Sequence, residues 1–316
     1  MKNILIATTA LVATAGVAAA DVNLSGYARF GGVFNDVTDE VNFASRLRLQ
    51  FDMTTETDGG LTLGARLRVQ AEEDGAGNDT GRFNTARFFG SAGGVTVAMG
   101  NILGVIEAAP NLYLPTKSAG MGLEGNGFTS LAANTFSNGG AFGWTAYQSA
   151  SALNNGATNG VEIIYSANGI GLHAHSTEIS YGLGANYRFG DFVVAAAYEE
   201  FTGGFRPVTG ISRDGDSVLF LSVGGKFGAF DAALSYAETE YAGLTAEKVS
   251  LRGGYTVNDA LYVYGFVADE DGPVSLDTAY GLGASYALGG GASVEAGWTS
   301  NQVGTNIVSA GMFFSF

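Results

Sequence analysis

The feature that most constrains the fold is an alternation of arginine with apolar residues in residues 45–70, SRLRLQFDMTTETDGGLTLGARLRVQ. Arg46 and Arg48 alternate with leucines in the first half, and Arg66 and Arg68 continue the pattern in the second. Successive side chains of a β-strand point to opposite faces. The stretch therefore predicts two strands joined near 54–60, each with one apolar and one cationic face. A soluble sheet packed on a core and a wall facing lipid both satisfy this pattern.

The rest of the chain shows the same period of two between turn signals. With 49 glycines, 4 prolines and 12% aromatic residues, it reads as all-β. Many segments approach the ~9–11 residues that a tilted strand needs to cross a membrane. We predict about sixteen strands, at 22–34, 42–54, 60–71, 82–90, 94–101, 160–167, 170–177, 179–189, 192–200, 216–227, 230–239, 246–256, 261–269, 278–288, 291–300 and 304–316.

The first twenty residues are typical of a cleaved secretory signal peptide. Lys2 precedes an apolar run from Ile4 to Val17, and three alanines end the segment. The alternative is an anchoring helix, but the run is shorter than the ~20 residues that spanning requires. We expect residues 1–20 to be removed and residues 21–316 to form a single barrel domain.

Charge and cysteine content narrow the partners. Loss of Lys2 leaves 14 Lys and Arg against 30 Asp and Glu, a net charge of −16. A nucleic-acid partner would require a basic face, so none is expected. The chain has no cysteine, so no disulfide contributes to its stability.

The two faces of the early strands favour a membrane barrel over a soluble sandwich. A sandwich would expose scattered charges of both signs, whereas here one face carries five arginines and the other is almost wholly apolar. Arginine facing lipid costs ~2–4 kcal/mol at the bilayer midplane, so the arginines are expected to face water. A barrel must close to pair its edges, and about sixteen strands leave an aqueous lumen. Aromatic residues beside the short turns suit an interfacial girdle, namely Tyr187, Phe189, Phe192, Phe227 and Phe230.

The connections also follow the pattern of a membrane barrel. Short turns at one rim should alternate with longer polar loops at the other, although the loop at 176–180 is unusually short for the outer rim. Residues 102–159 contain no predicted strand. A connection of that length requires a function, and part of it could alternatively form a further hairpin.

The chain resembles the general porins of the α-proteobacterial outer membrane over nearly its whole mature length. The resemblance is carried by VNLSGYARFG, NFASRLRLQFDMT, GLTLGARLRVQ and YGLGASYALGGGAS, and by the terminal phenylalanine. It implies a trimeric sixteen-stranded channel for passive diffusion of small hydrophilic solutes, held in outer-membrane lipid. It further implies that the third long loop, at about 101–159, narrows the lumen opposite an arginine cluster. Carried over, the cluster comprises Arg29, Arg46, Arg48 and Arg68; Arg66 is outside the family pattern but points to the same face.

The segment GNILGVIEAA at 100–109 matches the start of the constricting loop, so Glu107 is its expected acid. Residues 101–159 hold only one other acid, Glu124, and one lysine, Lys117, which is fewer acids than is common in the family. We therefore expect weaker cation selectivity than the net charge suggests. The remaining acids are expected mostly in outer loops, including Asp214, Asp216, Asp269, Glu270 and Asp271.

Other chemistry receives less support. His173 and His175 lie on one strand face but have no evident third metal ligand, so we interpret them as polar residues lining the lumen. No catalytic motif is present, and an enzyme or adhesin built on a barrel would need one, or an extra domain. No cofactor is expected, although outer-loop carboxylates could bind calcium. The closer alternative is a substrate-specific channel for sugars or anions, which aromatic residues at 128, 136, 142 and 144 leave open.

Overall fold

In the computed structural model, residues 20–73, 82–113, 142–147, 159–205, 212–272 and 276–316 are described. No helix among these residues is long and apolar enough to cross a membrane. The strands are β1 (Asp21–Asn35), β2 (Glu40–Glu56), β3 (Thr62–Glu73), β4 (Arg82–Phe83), β5 (Arg87–Ala92), β6 (Val95–Asn101), β7 (Asn159–Ala167), β8 (Ile170–Thr177), β9 (Ser180–Phe189), β10 (Phe192–Phe201), β11 (Ser217–Phe227), β12 (Phe230–Tyr241), β13 (Leu244–Thr256), β14 (Leu261–Asp271), β15 (Ala279–Gly289), β16 (Ala292–Ser300) and β17 (Asn306–Ser315).

The strands form one closed antiparallel barrel. Strands that are neighbours in chain order pair with each other, except that β4 and β5 both pair with β3, and β1 pairs with both β2 and β17. The closing seam runs from Asn35 opposite Ile307 to Tyr27 opposite Ser315. Gly26 and Phe316 extend it by exchanging backbone hydrogen bonds of 2.9 and 3.1 Å. Residues 26–35 of β1 are therefore paired with the last strand, and this pairing closes the barrel, as a chain in hydrocarbon requires.

The strand predicted at 82–90 is interrupted. β4 pairs with residues 69–70 of β3, and β5 pairs with residues 62–66 of the same strand. Between them, Asn84 donates its backbone N–H to the Arg68 carbonyl at 2.9 Å, and its side-chain Oδ1 accepts the Arg68 N–H at 2.7 Å. The asparagine side chain thus replaces one hydrogen bond between the strands, and β4 and β5 together occupy one strand position of the barrel. The barrel therefore has sixteen strand positions, as predicted.

The outward face is apolar and bears an aromatic band beside the short turns. Leu183 and Leu282 are each 65% exposed on this face. The band contains six aromatic residues, of which all but Tyr255 were predicted, and each ring contacts at least one other ring of the band. Centroid distances are 5.9 Å for Tyr187–Phe189, 5.7 Å for Phe189–Phe192, 4.9 Å for Phe192–Phe227 and 4.5 Å for Phe230–Tyr255. Clusters of aromatic rings at this position suit a membrane–water interface.

The expected asymmetry between rims is only partial. Two-residue turns occur at the short-turn rim, for example at 190–191 and 228–229. The opposite rim also has short connections at 178–179 and 242–243, the second closed by Ala242 and Gly243 at φ 51° and 76°. Two consecutive positive φ values match the right-handed twist of a hairpin, so β12 and β13 are connected by a two-residue turn.

Candidate functional site

An arginine wall lines the inner face of β1, β2, β3 and β5. Register places Arg29 opposite Arg46, and Arg66 opposite Arg87. All five predicted arginines lie on this face, with Arg87 as a sixth member that the sequence analysis missed. Like charges directly opposite each other are destabilising, so the wall requires compensating partners.

Glutamines separate the central arginines. Arg48 Nε donates to Gln70 Oε1 at 2.8 Å, and Arg68 Nε donates to Gln50 Oε1 at 2.7 Å. Each guanidinium is thereby bonded to the side-chain amide on the neighbouring strand. The alternating Arg and Gln of RLRLQ and ARLRVQ pair reciprocally because the two strands run antiparallel.

Two members of the wall form ion pairs with carboxylates. Arg66 Nε lies 2.6 Å from Asp52 Oδ1, and Arg87 Nε lies 2.6 Å from Glu162 Oε1. Arg68 has no carboxylate partner among the described residues. The positive potential of the wall is therefore carried more by the Arg68 region than by Arg66 or Arg87.

The described parts of the long connection between β6 and β7 are residues 102–113 and 142–147, and both pack against the inner face of the barrel. We call 102–113 the departing arm, with 110–111 as its tip, and 142–147 the return arm. These segments form a dry core with inward-facing residues of β10–β13. The buried members of the core are Val105, Ile106, Leu112, Phe142, Ala197, Val218, Phe220, Ala237 and Ala246.

The departing arm is held by side chains from β7 and β8. The backbone N–H of Leu103 donates to Glu162 Oε2 at 3.2 Å, and that of Val105 donates to His175 Nδ1 at 3.1 Å. His173 Nε2 lies 3.0 Å from Glu162 Oε2. The interpretation of the histidines as residues lining open lumen is therefore wrong for His175, whose side chain is 0% exposed. The imidazole is covered by the departing arm, whose Val105 N–H donates to it.

The tip is fixed on the far side by β11, β12 and β13. Ser222 Oγ donates to the Pro110 carbonyl at 2.7 Å, and Arg252 donates to Asn111 Oδ1 at 3.0 Å. Asn111 adopts φ 65°, a left-handed conformation that asparagine tolerates better than most residues. Asp231 accepts from Arg252 at 3.1 Å, so the tip is anchored to a charged pair.

The return arm is held by β9, β10 and the loop after β10. The backbone N–H of Thr145 donates to both oxygens of Glu199, at 3.1 and 3.0 Å. Arg213 donates to the Gly143 carbonyl at 2.8 Å and lies over the Phe201 ring. Tyr147 then reaches the arginine wall, where its ring centroid is 4.5 Å from the guanidinium carbon of Arg68. Burial raises the pKa of this tyrosine.

Glycines of the wall make room for the loop. A Cβ at Gly182 would lie 2.6 Å from both Val105 Cγ2 and His175 Cε1. One at Gly224 would lie 2.7 Å from Asn111 Oδ1. The GLG of GLGANY in β9 is thus a contact surface for the departing arm.

Glu107 lies on the departing arm and is partly exposed. Its Oε2 accepts from Tyr113 Oη at 2.6 Å and from Trp144 Nε1 at 2.7 Å. Burial raises the pKa of this carboxyl, whereas the two donors and the charges of Arg68 and Arg48 oppose that shift. The expected acid therefore interacts electrostatically with the arginine wall. Glu124, the second expected acid, lies outside the described residues.

The prediction that the remaining acids are solvated in outer loops is partly wrong. Asp269, Glu270 and Asp271 end β14 instead of lying in a loop. Glu270 points inward and lies 3.2 Å from the buried Lys248. Asp216 is 5% exposed, ion-pairs with Arg213 at 3.5 Å and accepts the Ala242 N–H. Glu270 and Asp216 are each buried beside a cation and so attract few cations to the channel mouth, whereas Asp269 and Asp271 are exposed.

Among the described residues, no three His, Cys, Asp or Glu side chains are arranged to hold a metal ion. Of the aromatic loop residues considered for sugar binding, Phe142 is 5% exposed within the dry core and Trp144 is bonded to Glu107. Those at 128 and 136 lie outside the described residues.

Comparison with known proteins gives a consistent assignment. A family model described as Gram-negative porin matches residues 7–305. The porin of Fuscovulum blasticum is 28% identical over 312 residues, covering 94% of this chain and 100% of the relative. The porin of Rhodobacter capsulatus is 29% identical over 330 residues, with 94% and 100% coverage. A solved variant of the Rhodopseudomonas blastica porin superposes with a TM-score of 0.75 at 28% identity, over 94% of this chain and 100% of that one.

Proposed function

This chain belongs to the Gram-negative porin family and is an outer-membrane channel protein, and on that premise we propose that it is a general diffusion channel. Small hydrophilic solutes and ions pass through the lumen, narrowed by the loop at about 101–159 opposite the arginine cluster. No step of catalysis is involved, because a porin is not an enzyme.

The observation that carries the proposal is the way the loop docks inside the barrel. Its departing arm and tip bond to β7, β8 and β11–β13, whereas its return arm continues to the arginine wall at Tyr147. Water and solutes therefore pass between Glu107 on the loop and the arginines on β2 and β3. A constriction of this kind selects by size and by transverse charge.

The charge balance favours weak cation selectivity. Glu107 is the one acid of the described loop residues, and it opposes at least two arginines, Arg48 and Arg68. Ion pairs that are partly shielded from water are screened less by salt than exposed charges. The local field at the constriction, rather than the net charge of −16, then sets ion preference.

Single-channel recording in planar bilayers tests this proposal. Arg46, Arg48 and Arg68 are changed to Gln one at a time, with Arg188→Gln on β9 as the matched control. Reversal potentials under a KCl gradient should move toward cation selectivity in the three variants, but not in the control. Unchanged conductance and reversal potential in all three would refute the assignment of the cluster, and strong cation selectivity of the parent would refute the charge argument.

The alternative of a substrate-specific channel is tested in the same bilayers. The burial of Phe142 removes one support for a sugar track. Saturable block of the current by a single sugar or anion would favour the alternative, whereas equal passage of solutes of equal size would favour general diffusion.

We further propose that residues 1–20 are a signal peptide removed on export, that residues 21–316 form one barrel domain, and that the barrel assembles as a homotrimer. Intact mass of the purified protein checks the cleavage, and light scattering with detergent subtraction checks the number of chains. A mature protein beginning at Met1, or a monomer at all concentrations, would contradict these statements.

A further inference from the structure

Glu107 is held by two donors that converge on the same oxygen. Tyr113 Oη and Trp144 Nε1 lie 2.6 and 2.7 Å from Glu107 Oε2. Glu107 Oε1 makes no hydrogen bond to any described residue. One oxygen is therefore fixed by the loop, and the side chain as a whole is partly exposed.

The two donors are themselves firmly held. Tyr113 follows Leu112 on the departing side of the loop, and Trp144 lies on the return arm, 37 positions from Glu107. Both rings pack against the dry core formed with β10–β13. The carboxylate is thus clamped between the two arms of the loop, so its direction depends on both being docked.

The chemistry of the donors favours an ionised carboxylate. An indole N–H can only donate a hydrogen bond, so the bond from Trp144 is weaker to a protonated Glu107 than to its carboxylate. Hydrogen bonds to an ionised group are roughly twice as strong as those between neutral groups.

The charged groups around Glu107 act in the same direction. Arg48 on β2 and Arg68 on β3 face it across the lumen. On the side of the loop that faces β8 and β10, Glu199 and His175 accept hydrogen bonds from the backbone N–H groups of Thr145 and Val105. Burial raises the pKa of Glu107 and outweighs the two hydrogen bonds and the arginine charges, so the loss of either donor would raise that pKa further.

We propose that Tyr113 and Trp144 are specificity-determining residues of the channel, which keep Glu107 ionised and oriented toward the arginine wall at neutral pH. The inference rests on the proposed function, because it requires Glu107 to lie at the constriction. It adds that ion preference is set by two neutral aromatic donors as well as by the charged residues.

The test is the pH dependence of the reversal potential in a KCl gradient, measured for the full-length mature protein. Cation permeability should fall as the pH falls through the titration of Glu107. Trp144→Phe and Tyr113→Phe should each move that midpoint upward by about one pH unit, the size expected for loss of one hydrogen bond to an ionised group. Trp298→Phe is the matched control, because Trp298 is the other tryptophan of the chain and contacts Tyr280.

A second measurement does not depend on channel recording. In Trp298→Phe the only remaining tryptophan is Trp144, so its fluorescence in detergent reports the bond to Glu107. Emission should change with pH at the same midpoint as the reversal potential. Adding Glu107→Gln should remove this change, because the amide does not titrate.

The outcomes separate the two proposals. If Glu107→Gln alters selectivity but Trp144→Phe and Tyr113→Phe titrate like the parent, the inference is overturned and the proposed function stands. If Glu107→Gln leaves selectivity unchanged at every pH, the placing of Glu107 at the constriction fails, and the inference fails with it. An upward shift in both Phe variants, with none in the control, supports both.

Discussion

Replacing Glu199 by glutamine should release the return arm of the loop without disturbing the barrel. Glu199 is 0% exposed on β10 and faces the lumen. It accepts the Thr145 N–H with both oxygens and also accepts the Thr145 hydroxyl, at 2.5 Å. His175 Nε2 lies 3.5 Å away.

The size of the effect follows from these contacts. Glutamine keeps one acceptor oxygen and turns an N–H₂ group toward donors, so at least one bond to a charged acceptor is lost. Such bonds contribute ~1.5–3 kcal/mol. A loss of about 2 kcal/mol raises the population of the undocked arm roughly thirty-fold, since 1.4 kcal/mol corresponds to a factor of ten. The departing arm keeps its bonds to Glu162 and His175, so only part of the loop should move.

Open-channel current noise measures that population. We expect Glu199→Gln to flicker between two conductance levels, with an unchanged thermal unfolding midpoint of the barrel. Glu295→Gln is the matched control, because Glu295 is also buried and inward-facing but, among the residues that the structure describes, bonds only to Ser285 and Ser293 of β15 and β16. Identical noise in the two variants would falsify the assignment of Glu199 as a loop anchor.

Three further changes test other contacts. Gly182→Ala places a methyl 2.6 Å from Val105 Cγ2, which should push the departing arm into the lumen and lower single-channel conductance. The expected loss of unfolding free energy is ~1–3 kcal/mol, and an unchanged conductance would contradict close packing at this position. Arg213→Gln removes the 2.8 Å bond to the Gly143 carbonyl and should raise the size limit for sugars in liposome swelling, and a size limit equal to that of the parent would count against this clamp. Leu183→Arg places a charge at a side chain that is 65% exposed on the outward face and should cost ~2–4 kcal/mol of unfolding free energy in vesicles, whereas Leu183→Phe should not; equal stability of the two would contradict the lipid-facing assignment.

Some features of the loop site had signals in the sequence that the alternation rule passes over. β10 and β11 read FVVAAAYEEF and SVLFLSVGGKF, with apolar residues on both faces. Alternation is lost where a strand is covered on both sides. Here the outer side meets lipid and the inner side meets the loop. Arg87 could also have been found, because its position relative to Phe88 places it on the polar face of its strand.

Other features depend on contacts that no local pattern contains. Asp269, Glu270 and Asp271 form one acidic run, yet Glu270 is neutralised because register sets Lys248 directly opposite it. Asn111 and Arg252 are bonded although 141 positions separate them. Which acids stay free to attract ions is therefore a property of the closed barrel.

The sequence by itself determined the two faces of each strand, the sixteen strand positions and the arginine wall. Side-chain direction in a strand follows from a period of two along the chain, so these features can be read locally. The tertiary structure alone decided which side of the lumen the loop occupies, which acids are paired, and how Glu107 is held. Those outcomes depend on bonds between residues distant in the chain, and such bonds form only when the barrel closes and brings its walls around the loop.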